Sequence, residues 1–344
     1  MPSHNHSHRL PATVSGTPDN GDTLVQTLFH STGALSAFRF WRRSSLRILL
    51  YHRFSPEMGP ALERQCAHLR RHYNPVSLSQ AGDALAGGRP LPANAVAVTV
   101  DDGYRDFFTV AYPIFSKFRI PVTIFLTTGF LDGDCWLWVD TVDCALARTT
   151  VRELRLRSSL GGDLELRFDT PEARSKAAAA IKRLAKRVPN QERLEIIRRI
   201  QQDLEVSLPD SPPHEYEPMR WDEVRVMARG GMNFGAHTNT HPILSRVEEM
   251  ETLKREVETS KNRIEEELNA PTKHFAYPNG KGPDFDARAV DLLRSAGFQT
   301  AVTAQSGLNY PGHDQFLLRR IPVEPAQPLR LFERMTAGFR LASE

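Results

Sequence analysis

The chain has 344 residues, 40% hydrophobic and 25% charged, enough for one large soluble α/β domain with an insertion or for two modest domains. A formal net charge of +3, its basic residues mostly interleaved with acidic ones, gives no reason to expect nucleic acid as a partner. Three cysteines (Cys66, Cys135, Cys144) are spaced for neither a disulfide framework nor a zinc knuckle. No apolar run approaches the ~20 residues that a membrane span needs.

Residues 1–22 are polar, carry His4, His6 and His8, and lack a basic-then-apolar signal pattern, so they read as a disordered tail and the cytoplasm is the expected location. Residues 23–46 are expected to form an N-terminal helix. Leu24, Leu28, Leu35, Phe38 and Trp41 recur at helical spacing, with Arg39, Arg42 and Arg43 at its end and Gly33 as an interruption. Such a helix either packs on its own domain or rests peripherally on an anionic membrane face through residues 24–44. Residues 47–51 (RILLY) form a short strand that ends at His52. Helices follow over 60–73 and 79–86, then a strand over 95–100, a helix over 106–118 and a strand over 121–126. This alternation predicts a parallel sheet or barrel.

The rhythm breaks over residues 135–218, read as a mainly helical insertion. It holds a helix over 136–147, a hairpin over 151–168 turning at Gly161-Gly162, and charged helices over 171–188 and 191–204. It could serve as a cap that shapes substrate or as a dimer contact, and the sequence sets no oligomeric state. The alternation resumes with a helix over 220–229, a strand over 232–236, a long helix over 247–268 and a strand over 273–277. A helix over 285–296, strands over 299–303 and 317–321, and a closing helix over 329–341 complete the chain.

Four strand ends carry groups able to do chemistry. The strand over 95–100 stops at Asp101-Asp102-Gly103. Adjacent carboxylates repel, which is tolerable if one binds a cation or keeps a proton. One of the two therefore suits a metal and the other a proton, in either order. The strand over 232–236 stops at His237, with His241 four residues on; two histidines on one turn or tight loop can converge on an ion and, with a carboxylate, leave positions open for water and substrate. The third strand breaks into Tyr277-Pro278-Asn279-Gly280, a tight turn whose N–H groups can face an oxyanion. The fourth end is His52, whose ordinary pKa suits an acid that protonates a departing amine. His313, in a Pro-Gly-His loop, is the other candidate for that role.

VTVDDG, HTNTHP and FAYPNG, in this order, resemble the first three motifs of the polysaccharide deacetylases, also called NodB-homology domains or carbohydrate esterase family 4. The resemblance spans residues 47–323, apart from the insertion. It implies a distorted (β/α) barrel over 47–344 and removal of N-acetyl groups from an N-acetylhexosamine-containing saccharide, in exopolysaccharide or cell-envelope biosynthesis. It implies one divalent metal on Asp102, His237 and His241, with zinc first and cobalt, nickel or manganese also compatible. Asp101 would be the general base, with Asn279, Tyr277 and Pro278 at the oxyanion and substrate.

Three departures stand out. Ala276 occupies the place of the family's arginine, and Asn279 that of a tyrosine. The C-terminal Leu-x-His is absent, because residues 317–323 read LLRRIPV. Leu50-Tyr51-His52 matches that motif at the other end of the chain, resembling exopolysaccharide deacetylases in which the segment is permuted, and makes His52 the expected acid. The other readings are a deacylase of small non-saccharide amides and a non-catalytic saccharide-binding relative.

Overall fold

A computed structural model describes residues 33–160 and 163–339. The expected tail over 1–22, the first part of the N-terminal helix and the Gly161-Gly162 turn lie outside those residues. Among the described residues there are ten strands: β1 (Arg47–Tyr51), β2 (Asn74–Pro75), β3 (Ala95–Val100), β4 (Val122–Leu126), β5 (Glu153–Arg157), β6 (Asp163–Arg167), β7 (Asn233–Ala236), β8 (His274–Ala276), β9 (Thr300–Ser306) and β10 (Leu318–Pro322). Seven of them form a closed parallel barrel in the order β1-β10-β9-β8-β7-β4-β3, closed by β1 pairing with β3, while β2 adds a short extension beside β3. Helices surround it, so the fold is a distorted (β/α) barrel. No helix among the described residues is long and apolar enough to cross a membrane.

Closure turns the two-residue period of each strand into an inside and an outside. Apart from Phe125 the inward set is small or branched: Ile48, Ala95, Ala97, Phe125, Ala276, Val302 and Leu318 pack in one cluster. The alternate residues, among them Leu49, Tyr51, Val98, Val100, Ile124 and Ile321, pack in the larger core shared with the helices. Carried one step past the strand ends, the inward parity reaches His52, Asp101 and His237, and within β10 it selects Arg320. The carboxyl ends of parallel strands are where such barrels assemble their chemistry.

Three elements differ from expectation for local reasons. The first described helix is Ala34–Trp41, starting after Gly33 at φ +69°. The helix expected over 106–118 is widened over Phe107–Ala111 before Tyr112–Lys117, as suits Pro113, which has no N–H to give. The closing helix ends at Thr336, with Gly338 at φ +82° just beyond.

The insertion has the expected parts: helix Trp138–Arg148, the antiparallel β5–β6 hairpin, and helices Pro171–Ala185 and Asn190–Asp203. They close over a small core of their own, including Val142, Leu146, Leu154, Phe168, Ile181 and Ile200.

Candidate active site

At the end of β3 the chain reverses through Asp102 at φ +78° and Gly103 at φ +94°. Gly103 avoids the strain that a side chain would meet at this φ, and a Cβ there would also press on Leu131 Cδ1 at 2.8 Å. Asp102 has a side chain and is held in the left-handed region by its surroundings. Thr238, His241 and Asn279 share that conformation, at φ +65°, +58° and +58°. Four such non-glycine residues at three strand ends mark strain held at a functional centre.

Asp102 Oδ1 lies 3.4 Å from Nε2 of both His237 and His241. Ligand atoms of the three buried residues fall within 4.8 Å of one another. His237 Nδ1 donates to the Ala276 carbonyl at 2.7 Å, which turns Nε2 toward Asp102. His241 sits on a tight loop, not a helix, whose geometry is set by its N–H bonding Thr238 Oγ1 at 3.0 Å. Glu256, on helix Met250–Leu268, grips the same loop by accepting from the N–H groups of Asn239 (3.0 Å) and Thr240 (2.8 Å) and from the Thr240 hydroxyl (2.6 Å).

Burial opposes charge on every member of the cluster. At Asp102 the contacts with His237 and His241 outweigh it and hold the carboxyl well below the usual range. Burial lowers His237 too, but Asp102 and Asp101 more than compensate, so its pKa is raised. His241, lowered by burial and by His237, falls to about 3 and is neutral. A carboxylate and two imidazoles whose Nε2 atoms both face it make a donor set that fits a divalent ion.

Asp101 is 3% exposed and faces Arg320, itself 1% exposed. The guanidinium donates to both carboxylate oxygens at 2.7 Å, to the Thr303 carbonyl at 2.7 Å and to Thr99 Oγ1 at 3.2 Å. Burial pushes the Asp101 carboxyl up, yet Arg320, with His237 and His52, brings it below its ordinary value. The support missing at Ala276 thus comes from β10, two strands from β8 and, through β1, two strands from β3. The partial signal in sequence was parity: Arg320 shares the side of Leu318 while Arg319 faces out, and a buried arginine needs a carboxylate.

His52 Nε2 stands 4.0 Å from Asp101 Oδ2, with half of its side chain exposed to the crevice. His313 does not reach this place. It packs edge-on against Tyr310 and lines a groove with Arg42 and Arg319. Asn279 is half-buried with Nδ2 unpartnered among the described residues, and Pro278 is buried beneath the turn. Tyr277 departs from the expected substrate role. Its ring stacks on Phe285 at 4.0 Å and its hydroxyl is spent on the Phe316 carbonyl at 3.0 Å, so the side chain belongs to the core.

A buried cluster close to Asp102 had no sequence signal. Tyr104 donates to Asp140 of the insertion at 2.6 Å, and Arg53 lies over the Tyr104 ring while bonding Asp106 at 2.7 Å.

A family model described as polysaccharide deacetylase matches residues 88–155 and 180–301, and the chain belongs to that family. The match begins after β1 and skips part of the insertion. Over 90 residues, 26% of this chain, the sequence is 41% identical to the poly-beta-1,6-N-acetyl-D-glucosamine N-deacetylase of Escherichia coli K12. That stretch spans only 12% of the relative's length. Among solved structures, the Streptococcus pyogenes deacetylase PplD in complex with acetate aligns with a TM-score of 0.55 at 19% identity, covering 85% of this chain and 98% of that one. IcaB from Ammonifex degensii aligns with a TM-score of 0.55 at 19% identity, covering 87% and 98%. At such identities the two establish a shared fold.

Proposed function

We propose that the protein is a metal-dependent hydrolase that removes N-acetyl groups from an N-acetylhexosamine-containing saccharide, of the poly-N-acetylglucosamine type, in exopolysaccharide or envelope biosynthesis. The observation that carries this reading is the pairing of two differently treated carboxylates: Asp102 facing two histidines, and Asp101 forked by Arg320 beside His52. A divalent ion held by Asp102, His237 and His241 would polarise the amide carbonyl and make water more acidic.

The chain's own groups divide the rest. Asp101, kept ionised by Arg320 and fixed in orientation by the two-pronged bond, accepts the proton of the attacking water. The Asn279 turn is suited to offer its N–H to the oxygen that gains charge. His52, partly exposed and close to Asp101, delivers a proton to the nitrogen as the C–N bond breaks. The water oxygen leaves in acetate, and the sugar keeps the amine.

The test is acetate release from a panel of N-acetylated oligosaccharides, with and without a chelator. Release should require the divalent ion. Asp101→Asn should lower turnover by about 10²–10⁴-fold while retaining metal, whereas His237→Ala should lose the metal itself. Full activity of metal-loaded Asp101→Asn would overturn the base assignment.

A further inference from the structure

The end of the barrel opposite the catalytic crevice carries a second feature. Helix Ala34–Trp41 seats Leu35 in the protein and sets Phe38 edge-on against Phe339 at 5.3 Å. Its outer side leaves Phe40 66% and Trp41 75% exposed, two neighbouring large apolar side chains in water. Singly exposed apolar residues are ordinary; a contiguous pair ringed by cations is not. Arg43 lies over the Phe40 ring at 4.1 Å and Arg42 over Trp41 at 5.8 Å. Arg39 completes the cluster. Among the described residues none of these three arginines pairs with a carboxylate.

Beside this patch is a groove of about 290 Å³ lined by Arg42, Arg319, Tyr310 and His313, with no acidic residue in its wall. Arg42 joins groove and patch. Backbone bonds from Asn94 N–H to the Arg43 carbonyl and from Leu46 N–H to Asn309 place both at the amino ends of β3 and β1.

We propose that this rim is a docking face for an anionic lipid bilayer. Phe40 and Trp41 enter the boundary between headgroups and acyl chains, and Arg42 and Arg319 take a lipid phosphate in the groove. Aromatic rings settle at that depth because they are apolar with polar or polarisable edges, and guanidinium forks match phosphate oxygens. The clustering of cations without acids gives the charge complementarity that an anionic surface needs. Docked this way, the barrel axis points the catalytic crevice away from the lipid, so the substrate reaches the site from the aqueous side.

Sedimentation of the full chain with phosphatidylcholine vesicles, with and without phosphatidylglycerol, tests it apart from any catalysis. Binding should need the anionic lipid and weaken with salt. Phe40→Ser/Trp41→Ser should lower partitioning about tenfold or more. Arg42→Gln/Arg319→Gln should lower it roughly 25-fold, about fivefold for each cation near the surface. Trp41→Phe should keep binding but remove the fluorescence quenching caused by brominated acyl chains. Equal sedimentation with neutral vesicles, undiminished binding of the Phe40/Trp41 variant, or quenching that persists in Trp41→Phe would overturn the proposal. Retention on heparin without vesicle binding would overturn it too, by assigning the face to another polyanion.

Discussion

Arg320 and Asp101 form an ion pair with almost no water around it, so each member depends on the other. Removing one partner of such a pair costs about 3–5 kcal/mol because the remaining charge is stranded. Arg320→Met should show that loss in chemical denaturation. The Asp101 carboxyl would then no longer be held down, and the acidic limb of the pH–rate profile should move to higher pH. Arg320→Lys keeps the charge but not the fork, so it should recover stability more fully than turnover.

Asp140 behaves in the opposite sense. Burial raises its pKa to about 7, with Tyr104 and Arg53 only partly opposing. Its folded pKa lies above the unfolded one, so its protonated form stabilises the fold below about pH 4, and that contribution is lost as pH rises toward 7. Asp140→Asn should flatten the dependence of stability on pH across that window, as read by melting temperature in a buffer series. These two carboxylates show that residue type alone does not set a role. The charge within hydrogen-bond reach does.

Among the elements, the loop carrying His237 and His241 depends on a helix that supplies no ligand. Glu256 satisfies two backbone N–H groups and a hydroxyl of that loop from helix Met250–Leu268. Glu256→Gln retains size but cannot accept from all three with the same strength. Metal affinity should fall by roughly 10–100-fold, the usual effect of losing a group that orients ligands, with the helix itself unaffected in circular dichroism. The charged face of this helix is readable in sequence as solvent-facing, but Glu256 is on the same helix and turned to the site. Helical periodicity does not tell these two kinds of glutamate apart.

At the scale of the whole molecule, the strands bring together side chains from β10 and from the ends of β1, β3 and β7, with the ion-paired Asp101 and Arg320 lying 219 residues apart. Ligand binding to such a preformed site adds stability by mass action, about 2.7 kcal/mol at a metal concentration one hundred times the dissociation constant. Chelation should therefore lower the melting temperature, and His237→Ala should lose the response to added metal.

Strand ends, the metal-binding residue types and the candidate acid were legible in the chain because each is a local pattern: an apolar run, a period, a motif. Asp101-Asp102-Gly103 and His237 to His241 announce themselves within a few residues. The division of labour between Asp101 and Asp102 rested on resemblance to a family, and Tyr277 could not be told from a substrate residue until its hydroxyl was seen bonded to Phe316. Arg320 and Asp140 needed tertiary structure, because a buried charge acquires its meaning from a partner that sequence distance hides. The closed barrel supplies that partner. Once β1 pairs with both β3 and β10, the inward parity of each strand becomes shared, and the arginine absent at Ala276 is replaced from β10, two strands away.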